Sequence, residues 1–158
     1  MRTHGTDRVE RGEHPDISTT EGTASASSDG GCAPAPCATP GITLFVCTTC
    51  RTPDAPADAP RAGAALVEAT RAAATGDMAV KGVACLANCK RALSAALVRR
   101  DGWTYLFGDL GTEAAPDLIE GARLLAGSAD GLMPWRGRPE ALKRGMVARI
   151  PPFTFEEP

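Results

Sequence analysis

Two short cysteine pairs hold the residues best suited to chemistry: Cys47-Thr48-Thr49-Cys50 and Cys85-Leu86-Ala87-Asn88-Cys89, with 34 residues between Cys50 and Cys85. Four thiolates brought to one pocket would repel one another strongly in a low-dielectric surround. Such a set makes sense if a soft cation or an iron–sulfur cluster lies between them. A dithiol oxidoreductase would need only Cys47 and Cys50, since a C-x-x-C after a strand is a redox signature. Its thiolate is ordinarily stabilised by a helix starting at the motif. Here Arg51-Thr52-Pro53-Asp54-Ala55-Pro56-Ala57-Asp58-Ala59-Pro60 follows instead, and that reading gives Cys85 and Cys89 no purpose.

A structural zinc site and a 2Fe-2S cluster both take four thiolates, and both carry a formal charge of minus two, so charge does not separate them. The three-residue gap of the second pair is looser than a zinc-ribbon knuckle, and the expected core is large enough to fold without a metal staple. Two close pairs can instead serve one iron each. The leading expectation is therefore a 2Fe-2S cluster on Cys47, Cys50, Cys85 and Cys89, with zinc as the alternative. Lys90 and Arg91, directly after Cys89, are either a counter-charge or an ordinary solvated basic pair.

The elements around the pairs must bring them together. Ile42-Thr43-Leu44-Phe45-Val46 is too short for a stable helix and rich in β-branched and aromatic residues, so it reads as a buried strand running into Cys47. The three prolines after Cys50 exclude a regular helix. From about Pro60 to Ala74 the apolar positions Ala62, Ala65, Leu66, Ala69, Ala72 and Ala73 recur at helical steps, with Asp58 as cap and Gly76 as stop. A second strand over 78–84 leads into Cys85. Strand, helix and strand make a βαβ crossover with parallel strands, which sends both cysteine pairs out of one sheet edge.

Leu93–Arg99 and Trp103–Phe107 flank Arg100-Asp101-Gly102, a hairpin signal, and a closing helix runs from about Pro116 to Ala126 with Gly127 just past its end. The expected fold class is α/β, thioredoxin-like: a mixed four-stranded sheet, βαβ then ββα, over residues 41–127. Residues 1–40 are polar, Gly-, Ser- and Pro-rich, and read as a disordered leader. His4, His14, Cys32 and Cys37 fall there, where coil offers no scaffold for a second metal site. Residues 128–158 read as a C-terminal arm that packs Trp135, Leu142 and Ile150 on the domain. With five basic residues and one acidic between Leu132 and Ile150, that arm also reads as a docking segment for an acidic partner.

Composition narrows the function classes. The chain has 158 residues, a net charge of -2 and only 4% aromatic residues, a poor match to nucleic acid. No apolar run approaches the roughly 20 residues of a membrane span. Met1-Arg2-Thr3-His4-Gly5-Thr6-Asp7-Arg8 lacks the apolar stretch of a secretion signal. The expected location is the cytoplasm, where paired cysteines bind metal or do redox chemistry more often than they form disulfides. No enzyme is expected: the folded region has no histidine to act as base, and four ligating cysteines leave no open coordination position.

The pattern C-x2-C-x34-C-x3-C on a βαβββα chain resembles the thioredoxin-like 2Fe-2S ferredoxins, including the small 2Fe-2S subunit of respiratory NADH dehydrogenases. The resemblance implies Cys47, Cys50, Cys85 and Cys89 as cluster ligands and single-electron transfer as the activity. Those relatives space the first pair more widely, and a two-residue gap bears on cluster geometry or favours a mononuclear metal. A closer resemblance is to a family of small predicted metal-binding proteins, of the domain-of-unknown-function kind, whose genes often lie among those for cobalamin synthesis and metal-handling GTPases. It includes Gly121-Ala122-Arg123, Ala129-Asp130-Gly131-Leu132, Pro134-Trp135-Arg136 and Ala148-Arg149-Ile150-Pro151-Pro152, and spans roughly residues 42–152. It implies a place in cobalamin or cobalt metabolism and a redox or metal-handling protein partner, or a second copy of the chain. The rival is a non-redox protein that holds or delivers zinc or cobalt.

Overall fold

The computed structural model describes residues 41–157. The expectations for the leader, for His4 and His14 and for Cys32 and Cys37 lie outside the described residues. Eight elements follow in order: β1 (Ile42–Cys47), α1 (Ala62–Ala73), β2 (Met78–Val83), β3 (Leu93–Arg99), β4 (Thr104–Leu110), α2 (Ala115–Ala126), α3 (Glu140–Arg144) and β5 (Met146–Ile150). The sheet order is β2-β1-β3-β4-β5. β1 and β2 are parallel, and the other neighbours are antiparallel. The first four strands and α1 and α2 make the thioredoxin-like α/β arrangement expected, βαβ followed by ββα.

Period-two alternation explains β1. Ile42, Leu44 and Val46 are buried on one face of β1, while Thr43 and Phe45 between them are half-buried on the other. Helices α1 and α2 pack on each other and on β1 and β3. Their Leu66, Val67, Leu118, Ile119 and Leu125 close the core with Leu97, Tyr105 and Phe107. At the far end of the sheet from the cysteines, Arg99 donates to the carbonyls of Leu125 and Ser128, so the last turn of α2 is tied to the β3–β4 hairpin. Among the described residues no helix is long and apolar enough to cross a membrane.

Four expectations need correction. The sheet has five strands, not four, because Met146–Ile150 pairs with β4 rather than lying as an irregular arm. Of the three side chains expected to anchor that arm, only Leu142 is buried, whereas Trp135 is 60% and Ile150 52% exposed. The buried stripe of α1 is Gly63, Leu66, Val67 and Thr70 rather than the Ala-rich positions, and Ala65, Ala69 and Ala72 face solvent. Alanine marks both sides of this helix, so the two bulky residues decide which side turns inward. Asp58 does not cap α1, whose N-cap is Arg61 without a side-chain hydrogen bond.

Leu142 is fully buried beside Gly121 of α2, where any larger residue at 121 would meet its Cδ1. Leu142→Ala leaves a cavity there and lowers unfolding free energy by about 2–5 kcal/mol. Urea denaturation of the variant against the parent chain reads that loss; an unchanged midpoint would mean that α3 is not part of the cooperative core.

Candidate metal centre

Parallel pairing sets the site. Cys47 closes β1 opposite Val83, the last residue of β2, so the loops 48–50 and 84–89 leave the same sheet end. They are stitched together by the Thr48 N–H to the Val83 carbonyl at 2.8 Å and by the Thr48 hydroxyl to the same oxygen at 3.1 Å. The Thr49 hydroxyl donates to the Ala84 carbonyl. Cys47 Sγ stands 3.6 Å from both Thr49 Oγ1 and the Ala84 oxygen. The first turn of α1 packs on the first loop, with the Gly63 N–H donating to the Cys50 carbonyl at 3.0 Å.

In the second loop the sulfurs of Cys85 and Cys89 lie 3.9 Å apart. Two thiolates on one tetrahedral ion with metal–sulfur bonds of about 2.3 Å need nearly that spacing. Ala87, between them, adopts a left-handed φ of 56°, and its N–H donates to Cys85 Sγ at 3.2 Å. That bond gives the sulfur a backbone partner and lends a reason for the left-handed backbone at Ala87. Asn88 reaches from the same loop to the hydroxyl of buried Ser94 at 3.0 Å, anchoring the loop on β3.

The two pairs differ in burial. Cys47 and Cys50 are 1% and 6% exposed, whereas Cys85 and Cys89 are exposed thiols. Burial is the largest influence on Cys47 and raises its pKa, but hydrogen bonding with the Cys50 and Thr49 side chains and with the Thr49 and Cys50 backbone together outweighs it and brings the thiol below its ordinary value. Cys50 is pushed up to about 12 by burial first, then by its hydrogen bond to Cys47 and the charge there. Cys89 is raised by its hydrogen bond to Cys85 and by the Cys85 charge. The charge of Cys89 also bears on Cys50, and that of Cys47 on Cys89, so the pairs share one electrostatic neighbourhood.

Cys50 and Cys89 line a common cleft of about 520 Å³, walled by Thr49, Arg51, Thr52 and Arg61. Among the described residues no three His, Cys, Asp or Glu side chains stand close enough together to hold one ion. The donor set is thus two dithiols, each with one cysteine on a shared cleft, rather than four sulfurs around a single point. All four expected cysteines are at this end of the sheet. Arg91 is not the free counter-charge considered from the sequence, because it pairs with Asp109 at 2.6 Å. Arg51 and Arg61 stand at the cleft instead, and the sequence reading passed over both. Arg51 donates to the carbonyls of Pro56 and Ala57, folding the proline loop back, and Arg61 donates to the Thr49 carbonyl at 3.3 Å. Their signals were adjacency to Cys50 and to the first turn of α1.

The Cys50 shift fixes a pH dependence for the reduced, metal-free chain. A thiol whose pKa rises on folding favours the folded state while it stays protonated. That contribution is intact below the unfolded value of 9.0 and is lost as pH climbs toward 12. The urea midpoint of the parent chain should fall between pH 8.5 and 10.5, a range of about two units chosen to bracket the unfolded value. A Cys50→Ala chain should fall less. Parallel curves would mean that Cys50 ionises as freely in the folded as in the unfolded chain.

Comparison with known proteins places this geometry. The model of the family described as protein of unknown function (DUF1636) matches residues 44–152. No curated protein matches the sequence. Among solved structures, a thioredoxin-like 2Fe-2S ferredoxin from Aquifex aeolicus is similar at 17% identity and a TM-score of 0.46, over 72% of this chain and 97% of that one.

Proposed function

From the premise that the chain belongs to the DUF1636 family of proteins of unknown function, we propose that it is a metal-binding protein whose Cys47, Cys50, Cys85 and Cys89 hold a 2Fe-2S cluster. The observation that carries this reading is the division of the sulfurs into two dithiols at one sheet end. The exposed pair lies at the 3.9 Å spacing of two ligands on one tetrahedral centre, and one cysteine of each pair, Cys50 and Cys89, lines a common cleft. A two-iron group uses two dithiols, whereas a single ion needs three or four donors around one point. When bound, such a cluster takes up and returns one electron.

The chain's own residues serve the group in defined ways. The Thr48 and Thr49 hydroxyls hold the two loops at a fixed separation through the Val83 and Ala84 carbonyls. The backbone N–H of Ala87 and of Ser94 donate to the Cys85 and Cys50 sulfurs and hold them in place. Arg51 and Arg61 set positive charge against four thiolates. The protein on this reading is a cytoplasmic electron carrier, not an enzyme, working with a redox or metal-handling partner in cobalamin or cobalt metabolism.

Purification without oxygen should yield a red-brown protein with equal iron and acid-labile sulfide, and visible bands that bleach on reduction. A second reading is favoured by the exposure of Cys85 and Cys89, which leaves one dithiol open to exchange: non-redox holding or delivery of zinc or cobalt. A protein that is colourless as isolated, contains zinc and has no sulfide would decide for that reading against the first.

A further inference from the structure

Far from the cysteine loops in sequence, the chain spends an unusual residue. Arg138 is 6% exposed, and no carboxylate among the described residues pairs with it. Its guanidinium lies 5.6 Å from the Tyr105 ring centroid and 5.2 Å from that of Trp135. One terminal nitrogen donates to the Met133 carbonyl and the other reaches Met146 Sδ at 3.6 Å, while buried Nε has no partner. Besides burial, its charge is influenced by Tyr105 and by a second cation, Arg149. Burying a cation without an anion is costly. Here the charge is held behind Trp135, whose ring is 60% exposed and also has the Lys143 ammonium 5.8 Å from its centroid.

Next to this ring runs a free backbone edge. Among the described residues, β5 is the last strand of the sheet and pairs only with β4, and its Met146, Val147 and Ile150 are exposed apolar residues. The contact of Arg138 with Met146 fixes the Trp135 platform beside the start of that strand. Residues 132–150 carry five basic side chains against the single carboxylate of Glu140, in a chain whose net charge is -2.

We propose that the β5 edge and the Trp135 platform form a docking surface for an extended acidic segment of a partner protein. The segment adds a strand to β5, seats an apolar side chain on Trp135, and meets Arg136, Lys143 and Arg149 with its carboxylates. Strand addition supplies main-chain hydrogen bonds along the open edge, and an exposed Trp flanked by cations is the usual make-up of an anchor. Charge complementarity selects acidic over basic segments. The free strand edge selects a polypeptide over a nucleic acid, which has no backbone to pair with it. Arg138 acts through Trp135 as a positioning residue. The surface shares no residue with the cysteine site and stands or falls independently of the cluster.

The test uses the full-length chain and a synthetic peptide of alternating glutamate and valine, followed by tryptophan emission and calorimetry. Binding should shift the emission to the blue, weaken with added salt, and remain in a Trp103→Phe chain, which keeps Trp135 as the reporter. Trp135→Ala, read by calorimetry, should weaken binding about thirtyfold, the loss expected of an anchor, with circular dichroism showing the fold intact. Lys143→Glu should weaken it as well, and a lysine–valine peptide should not bind. Equal affinity in the Cys47→Ala chain would separate this surface from the metal site. No binding of the acidic peptide, binding unaffected by Trp135→Ala, tighter binding of oligothymidylate, or a concentration-dependent dimer that Val147→Lys dissociates would each overturn the proposal.

Discussion

Cys47→Ala should abolish the proposed cluster incorporation while leaving the chain folded. Cys47 is the pivot of the site because it belongs to both the sheet and the cysteine cluster: its backbone closes β1 opposite Val83, and its sulfur is held between Thr49 and the Ala84 carbonyl. Without it the first loop offers only Cys50, one thiol where the site has a dithiol. Substituting groups that merely support metal ligands costs about 10–100-fold in affinity, so removing a ligand from the buried pair should exceed that range. Iron and sulfide analysis of the anaerobically purified variant is the measurement, with circular dichroism to establish folding. Cys85→Ala should behave alike, whereas Cys32→Ala, Cys37→Ala and removal of residues 1–40 should leave metal content at the parent level. Full occupancy in Cys47→Ala would remove this residue from the ligand set. Loss in the truncated chain would bring the leader into it.

The site could be expected from sequence to the extent that it rests on the crossover. Ile42–Val46 and Met78–Val83 are apolar runs that end in cysteine loops, and the parallel pairing of such strands leaves no choice about which sheet end the loops occupy. The hairpin at Arg100-Asp101-Gly102 and the end of α2 at Gly127 were equally legible, since glycine marks both. What escaped depends on contacts between residues distant in sequence. β5 is five residues long, carries no alternation of buried and exposed positions, and is defined only by the β4 edge it meets. Arg138 in sequence is one more basic residue in a charged arm, and only the rings of Tyr105 and Trp135 make it a buried cation. Arg91 looked available until Asp109, eighteen residues on, took it. Within α1, the residue that matters most to the site is one without a side chain.

Gly63→Ala should therefore lower both stability and metal retention, against the sign expected of the substitution elsewhere. In an open helix, replacing glycine by alanine stabilises by about 1 kcal/mol. Gly63 lies in the first turn of α1, is buried, and donates its N–H to the Cys50 carbonyl. A Cβ there would overlap the carbonyl oxygen of Cys47 and come within 3.2 Å of the Cys50 backbone nitrogen. Both obstacles are main chain, so no side chain can swing away. Either α1 retreats from β1 or the Cys47–Cys50 loop is displaced. Overpacking a close-fitting interior costs about 1–3 kcal/mol, which exceeds the propensity gain over most of that range. The damage falls on the loop that sets the first dithiol. Ala64→Gly, at the exposed neighbouring position, supplies the comparison: it should lose about 1 kcal/mol from propensity alone and keep its iron. Urea midpoints and iron content of the two variants, measured together, decide the matter. A Gly63→Ala chain more stable than the parent and fully loaded with metal would show that helix and cysteine loop are not in the close register that holds the first pair of sulfurs in place.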